Sequence, residues 1–234
     1  MLTESLSQRI INKKDKIKVA AGIIFFNDCP SLARCLESIK DGVDLIFAVD
    51  GRFPNFPATS NLSTDGSREL VTSYSKSVLI DFPGFETEKR SKYLEYCFLY
   101  SIDVLLIIDS DEYVMNPENW NKFHYNLKSL IFDRDKAEYN IYSINLQSLY
   151  TDQEYLAYPR IWYKPEEIEY GNRHYYFRNR NPLKPILPHQ ADHSPNLIEG
   201  IALGHNHELR SDYHQKNRIV YQTWLQNYER SLPQ

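Results

Sequence analysis

Val104-Leu105-Leu106-Ile107-Ile108 runs without a break into Asp109-Ser110-Asp111-Glu112. Five apolar residues in a row leave a strand with no polar face. Such a strand must be covered on both sides, as in the middle of a parallel sheet flanked by helices. Ligands in these sheets gather outside the carboxyl ends of the strands. Three acidic side chains at that end repel one another unless positive charge arrives, and a divalent cation is the simplest source.

The residues before this run repeat one pattern. Lys18 to Phe26 reads as a buried strand ending at Asn27-Asp28. Pro30 to Lys40 reads as a helix, with Leu32, Cys35, Leu36 and Ile39 on one face and Pro30 in its first turn. Val43 to Val49 is a second strand, ending at Asp50-Gly51. A polar loop over 52–66 leads to a helix over 67–75 and a short strand over 78–81. Thr87 to Tyr100 is a third helix, with Leu94, Cys97 and Phe98 expected inward. The apolar run at 104–108 is then the fourth strand. Strand and helix alternate throughout, which predicts an α/β fold with a mostly parallel sheet.

The later residues are less regular. A helix is expected over 120–132, strands over 137–149 and 160–163, and a closing helix over 213–229. Residues 164–200, rich in Pro, Asn and Tyr, read as long loops of the kind that bind substrate. Residues 1–16 read as a flexible arm, and 17–234 as one domain.

A chain of 234 residues with 42% hydrophobic and 25% charged residues builds a packed domain of this size. The net charge of -4 provides no general electrostatic attraction to nucleic acid. Eighteen Tyr and eleven Phe are many for this length; they serve either to pack the core or to offer the aromatic faces that suit sugars and bases. The three cysteines, Cys29, Cys35 and Cys97, lack metal-type spacing and read as reduced thiols of a cytoplasmic protein. No apolar run is long enough for a signal peptide or a transmembrane helix.

Several of these segments together resemble family 2-type glycosyltransferases, the nucleotide-diphospho-sugar transferases of the GT-A fold. The resemblance is carried by Phe26-Asn27-Asp28 with the following LARCLESI, by Val49-Asp50-Gly51, and by Ser63-Thr64-Asp65-Gly66-Ser67. It continues through Lys89-Arg90-Ser91, the D-x-D of Asp109-Ser110-Asp111, and Gly204-His205-Asn206-His207 ahead of Arg210-Ser211 and Lys216. It covers residues 17–115 well and 158–221 more loosely. It implies a Rossmann-like GT-A sheet, with 17–115 binding the nucleotide sugar and 116–234 forming an irregular acceptor side. The chain departs from the family where Asp50 is followed by Gly51 and not by a second acid, and in lacking an E-D motif for the catalytic base.

The implied activity is transfer of a hexosyl group from a nucleotide-diphosphate sugar to a hydroxyl, with inversion. The departing diphosphate gathers negative charge, which Mn²⁺ or Mg²⁺ offsets as a Lewis acid. The resemblance assigns Asp111 to the cation directly and Asp109 to the ribose or a metal-bound water. Alternation along an extended segment puts both on one side. His205 and His207 share a strand face, and the spacing before Arg210 favours His207 as a late ligand.

Phe26, Asn27, Asp50, Gly51 and Ser110 would line the nucleotide site. Arg90 leads Lys92, Arg210 and Lys216 as the group neutralising the diphosphate. Glu112 reads as a contact to the acceptor, a partner of the other carboxylates or a plain surface residue, and His174 resembles a histidine near the acceptor. An inverting transfer needs an ionised base beside the acceptor hydroxyl. Asp152, Glu154, Glu169 and Asp192 are the candidates, with Asp152 first because it follows the strand expected to border the acceptor.

The acceptor would be a glycan, a protein or a lipid-linked sugar, the last compatible with peripheral contact at the inner membrane face. A sugar-nucleotide pyrophosphorylase would need a Gly-rich basic loop after the first strand, where this chain has Phe-Phe-Asn-Asp-Cys-Pro. The alternative outside enzymes is a GT-A-like domain that binds nucleotide or glycan without turnover.

Overall fold

The computed structural model describes residues 17–132, 141–147, 154–170, 177–180, 197–205, 209 and 212–231. Its first part alternates as the sequence predicts. β1 (Val19–Phe25) leads to α1 (Cys29–Ile39), β2 (Leu45–Asp50), α2 (Ser67–Thr72), β3 (Ser77–Asp81), α3 (Glu86–Leu99) and β4 (Val104–Ile107). These strands lie side by side in the order β3-β2-β1-β4 and are all parallel. The chain therefore winds outward from β1 to β3 and then crosses to the other side of β1. The gap between the ends of β1 and β4 is the topological switch point, where open sheets of this kind open a crevice.

β1 shows why its sequence has no polar face. Ala21, Ile23 and Phe25 belong to the apolar cluster shared with Leu32, Leu36 and Ile39 of α1. Ala20 and Ile24 belong to the cluster on the opposite face, with Tyr93, Leu94 and Cys97 of α3. Each fully buried Leu or Ile in these layers contributes about 1.5–3 kcal/mol. Cys35 and Cys97 are buried in the two layers as free thiols.

One expected core residue lies elsewhere. Phe98 is 72% exposed. Lys89, Tyr93 and Cys97, at i, i+4 and i+8, set the inward face of α3. Phe98 shares the stripe of Arg90 and Leu94 but lies at the last turn of α3, where Leu99 and Tyr100 are exposed as well. The helix turns Lys89 and Arg90 inward instead, toward the strand ends.

The sheet then becomes mixed. β5 (Glu112–Val114) follows β4 at once, and α4 (Trp120–Phe132) follows β5. β6 (Ile141–Gln147), β7 (Tyr155–Tyr163) and β10 (Leu197–His205) complete eight strands in the order β3-β2-β1-β4-β7-β6-β10-β5. β7 pairs antiparallel with both β4 and β6, and β10 runs parallel to β6 and antiparallel to β5. A small hairpin, β8 (Ile168–Tyr170) with β9 (Phe177–Asn179), packs beside α3.

Where loops are expected over 164–200, the structure has β8, β9 and the start of β10. β10 carries a glycine at a special position. Gly200 has φ +133°, and a Cβ there would lie 2.5 Å from the backbone nitrogen of Phe123 in α4. This irregularity coincides with the register shift between Leu197 and Ala202, and it breaks the alternation by which a strand is recognised.

α5 (Asp212–Ser231) lays Tyr221, Trp224 and Tyr228 against Phe53, Phe56 and Phe85. Many of the chain's aromatics are thus used in packing. No helix among the described residues is long and apolar enough to cross a membrane.

Candidate functional site

The loops after β1, β2 and β4 converge at the switch point. After β1, Asn27 adopts φ +49° and its backbone N–H donates to Ser63 Oγ at 2.8 Å. Its side-chain oxygen accepts from the Thr64 N–H, also at 2.8 Å. Asp65 takes the orphan N–H of Cys29 at the start of α1 at 2.9 Å and holds the Ser67 hydroxyl at 2.7 Å. These bonds give the Ser-Thr-Asp-Gly-Ser turn its physical purpose: it fastens the loop after β2 to the start of α1.

Asp50, at the end of β2, anchors that loop. It is fully buried. Its oxygens accept from the Ser63 hydroxyl at 2.6 Å, the Ser63 N–H at 3.0 Å and Arg68 at 2.7 Å. A Cβ on Gly51 would stand 2.3 Å from the carbonyl oxygen of Phe82, so only glycine fits there. Phe26 is 2% exposed and packs edge-on against Phe56 with ring centroids 5.4 Å apart. In this conformation its ring is a packing element under the loop.

Lys89 joins the two strand ends from below. It is completely buried, and its ammonium donates to the carbonyls of Phe25 at 2.9 Å and Gly51 at 2.7 Å. It also lies 3.9 Å from the centre of the Phe53 ring. Burial pushes its pKa down to about 7, against the opposing charges of Asp50 and Glu86.

After β4, the acidic cluster closes the other side of the crevice. Ser110 donates to Asp28 Oδ2 at 2.7 Å, bridging the ends of β4 and β1. Asp109 sits between two arginines. Arg90 Nη2 reaches Oδ1 at 2.6 Å, and Arg160 Nη2 reaches Oδ2 at 3.2 Å. Glu112 is 1% exposed; Arg160 donates to its Oε1 at 2.5 Å and the Asp109 N–H to its Oε2 at 2.9 Å.

Arg90 is also held by Glu86 at 2.8 Å and lies near Tyr93, whose hydroxyl meets that of Tyr170 at 2.7 Å. Burial works against ionisation of Asp109, yet Arg90 and Arg160 outweigh it and hold the carboxyl well below the usual range. For Glu112, burial dominates over Arg160, and the charges of Asp109 and Asp111 add to the upward shift.

Asp111 is buried to 5% exposure next to these groups. His205 ends β10 and stands opposite Glu112 in the antiparallel ladder. Residues so paired have side chains on the same sheet face. His205 is thereby brought to the acidic turn.

A scan of protein-family models matches none to this sequence, and a search of curated proteins finds no match. Solved structures do resemble it. S. aureus TarS 1-349 superposes with a TM-score of 0.45 at 14% identity, over 63% of this chain and 47% of that one. Glucosyl-3-phosphoglycerate synthase from Mycobacterium tuberculosis, solved with Mn²⁺, UDP-glucose and phosphoglyceric acid, gives 0.41 at 15% identity, over 59% and 47%. A cytidylyltransferase from Leptospira borgpetersenii gives 0.37 at 14% identity, over 64% and 60%. The match spans less than half of the first two chains.

The structure brings together Asn27, Asp50, Gly51, Arg90, Asp109, Ser110, Asp111, Glu112 and His205 of the residues read from the sequence. Asp152, His174, His207 and Asp192 lie outside the described residues. Glu154 is exposed, and Glu169 lies on the β8–β9 hairpin, 3.7 Å from Arg180.

Arg160 is absent from the site residues read from the sequence, and Lys89 and Asp28 enter only within the segments that carry the family resemblance, with no role of their own. Arg160 carried a signal: it is the one charged residue in the otherwise uncharged strand Tyr-Leu-Ala-Tyr-Pro-Arg-Ile-Trp-Tyr. A charge in a half-buried strand needs a partner.

Proposed function

We propose that this chain is a GT-A-type glycosyltransferase that moves a sugar, with inversion, from a nucleotide-diphosphate donor to a hydroxyl acceptor. The observation that carries this reading is the Ser110–Asp28 bridge, with Arg90 and Asp109 beside it. It joins two strand ends at the switch point, where a nucleotide would enter. Residues 17–115 form the donor half and 116–234 the acceptor half.

Asn27, Gly51 and Ser110, with the loop held by Asp50 and underlaid by Phe26, would receive the nucleoside. Arg90 would take a diphosphate oxygen. Mg²⁺ or Mn²⁺, when bound, would offset the charge that builds on the departing diphosphate. Asp111 is the carboxylate we assign to it, supported by Asp109 and by His205 or His207.

Among the described residues no three ligating side chains come together as a resident cage would require. A cation arriving with a diphosphate needs only one or two protein carboxylates, because phosphate and water fill the other positions. The residues present fit that second arrangement.

In the transfer, a base takes the proton of the acceptor hydroxyl, whose oxygen bonds to the anomeric carbon as the bond to the diphosphate breaks. Asp152 leads for the base, with Glu112 and His174 near the acceptor. The acceptor is a glycan, a protein or a lipid-linked sugar, and a cytoplasmic site with peripheral membrane contact suits the last.

Calorimetry of UDP and GDP with and without Mn²⁺ tests the reading, followed by hydrolysis and transfer across a donor panel. Cation-dependent binding that is lost in Asp111→Asn is expected. Binding indifferent to that change would overturn the cation assignment.

A second reading, a domain that binds nucleotide or glycan without turnover, is favoured by one observation. Both oxygens of Glu112, a carboxylate of the acidic turn, are already engaged. Tight binding with no hydrolysis or transfer from any donor would select it.

A further inference from the structure

Arg160 differs from Arg90 in how it is held. Arg90 has a partner on its own helix, Glu86, that keeps it in place whatever happens at Asp109. Arg160 gives its contacts to the acidic turn alone among the ion pairs described for it: Asp109 Oδ2 and Glu112 Oε1 through one nitrogen, Nη2. Its Nε is buried and, among the described residues, has no hydrogen-bond partner. A guanidinium has five N–H donors in a rigid fork that matches carboxylate and phosphate oxygens. A partly buried one, 16% exposed, with an unsatisfied donor beside a ligand crevice is poised for a further anion.

Resting on the nucleotide-sugar reading above, we propose that Arg160 is a second guanidinium of the donor site and that it exchanges partners. It is held by Asp109 and Glu112 in the unliganded chain and turns to the diphosphate when cation and nucleotide bind together.

Charge balance supports the exchange. Two Arg–carboxylate contacts are replaced by cation–carboxylate and Arg–phosphate contacts, so no buried charge is left alone. Cation alone would leave Arg160 facing a like charge. Diphosphate alone would draw Arg160 away from Asp109 with no cation to replace it. Each ligand therefore favours the other, which is a coupling between the two.

The test compares wild type with Arg160→Gln, using Mn²⁺ alone, followed by the paramagnetic resonance of the free ion, and then UDP or GDP in saturating Mn²⁺ by calorimetry. Two opposite changes are expected. Mn²⁺ alone binds about tenfold tighter in the variant, and nucleotide with Mn²⁺ binds about tenfold weaker, each matching one charged hydrogen bond. A fold defect would weaken both.

Arg160→Lys keeps a counter-charge beside buried Glu112 and covers the case where the Gln variant does not fold. It should show the same two signs at smaller amplitude. Unchanged or weaker binding of Mn²⁺ alone in a folded variant overturns the exchange. If wild type binds neither nucleotide with Mn²⁺, it is the nucleotide-sugar reading that falls.

Discussion

The Ser110 hydroxyl donates to the carboxylate of Asp28 across the switch point, at 2.7 Å. Asp28 is the N-cap residue of α1, yet its side chain makes no cap hydrogen bond there. The cap duty passes to Asp65, which accepts the Cys29 N–H at 2.9 Å. Two loops from different strands are thereby held at a fixed separation. Ser110→Ala removes a hydrogen bond to a buried carboxylate. We expect a loss of about 2 kcal/mol in urea unfolding, together with weaker binding of nucleoside diphosphate.

Asp50 should behave as an anchor for its loop. Asp50→Ala removes the acceptor for the Ser63 N–H and hydroxyl and one partner of Arg68. Arg68 keeps Asp81 at 2.7 Å, so its charge is not stranded. The expected cost is about 2–3 kcal/mol, below the range for breaking a wholly buried pair. Limited proteolysis within residues 52–66 should quicken in the variant. An unchanged digestion pattern would deny the anchoring role.

Lys89 gives stability a pH dependence of determined sign. Its folded pKa is lowered to about 7 from an ordinary value of 10.5. Between these values the unfolded chain binds more protons than the folded chain, so stability rises with pH across that window. The contribution of a single group cannot exceed about 1.4 kcal/mol per pH unit. Lys89→Met should abolish this rise. The check is urea unfolding of both proteins at intervals from neutral pH to about pH 10. A wild-type curve parallel to that of the variant would show that the ammonium is not destabilised by burial.

Gly51 is required by packing. Ala at this position places a methyl carbon 2.3 Å from Phe82 O and 2.4 Å from Pro83 N, both backbone atoms. Its own carbonyl meanwhile accepts from Lys89. Gly51→Ala should cost about 2–3 kcal/mol, as overpacking against an unyielding neighbour does. Thermal unfolding measures it, and a Tm equal to wild type would contradict the geometry.

Trp224 tests the closing helix. Its ring stacks on Phe85 with centroids 6.0 Å apart and on Tyr228 at 5.4 Å. Phe85 immediately precedes α3, whose next turns carry Lys89 and Arg90. Trp224→Ala should lose about 2 kcal/mol, and the loss should be smaller in a Phe85→Ala background. Additive losses would mean that the two rings act separately.

The sequence by itself determined the alternation of strand and helix through Ile107, and with it the placing of Asp50 and Asp109–Glu112 near strand ends. An uninterrupted apolar strand admits few burials, and strand direction follows from the crossover helices. Aromatic and acidic residue types were equally legible. Only the tertiary structure decided what faces them. Asp50 turned to Ser63 and Arg68, and Phe26 to Phe56, because a loop distant in sequence folds back over the strand ends. Arg160 reached Asp109 because β7 pairs antiparallel with β4, a pairing across more than fifty residues that local periodicity does not encode. His205 came opposite Glu112 through a strand that Gly200 disguises. Local pattern fixes which face a residue takes. Electrostatic partners are chosen by whichever strands the sheet places side by side.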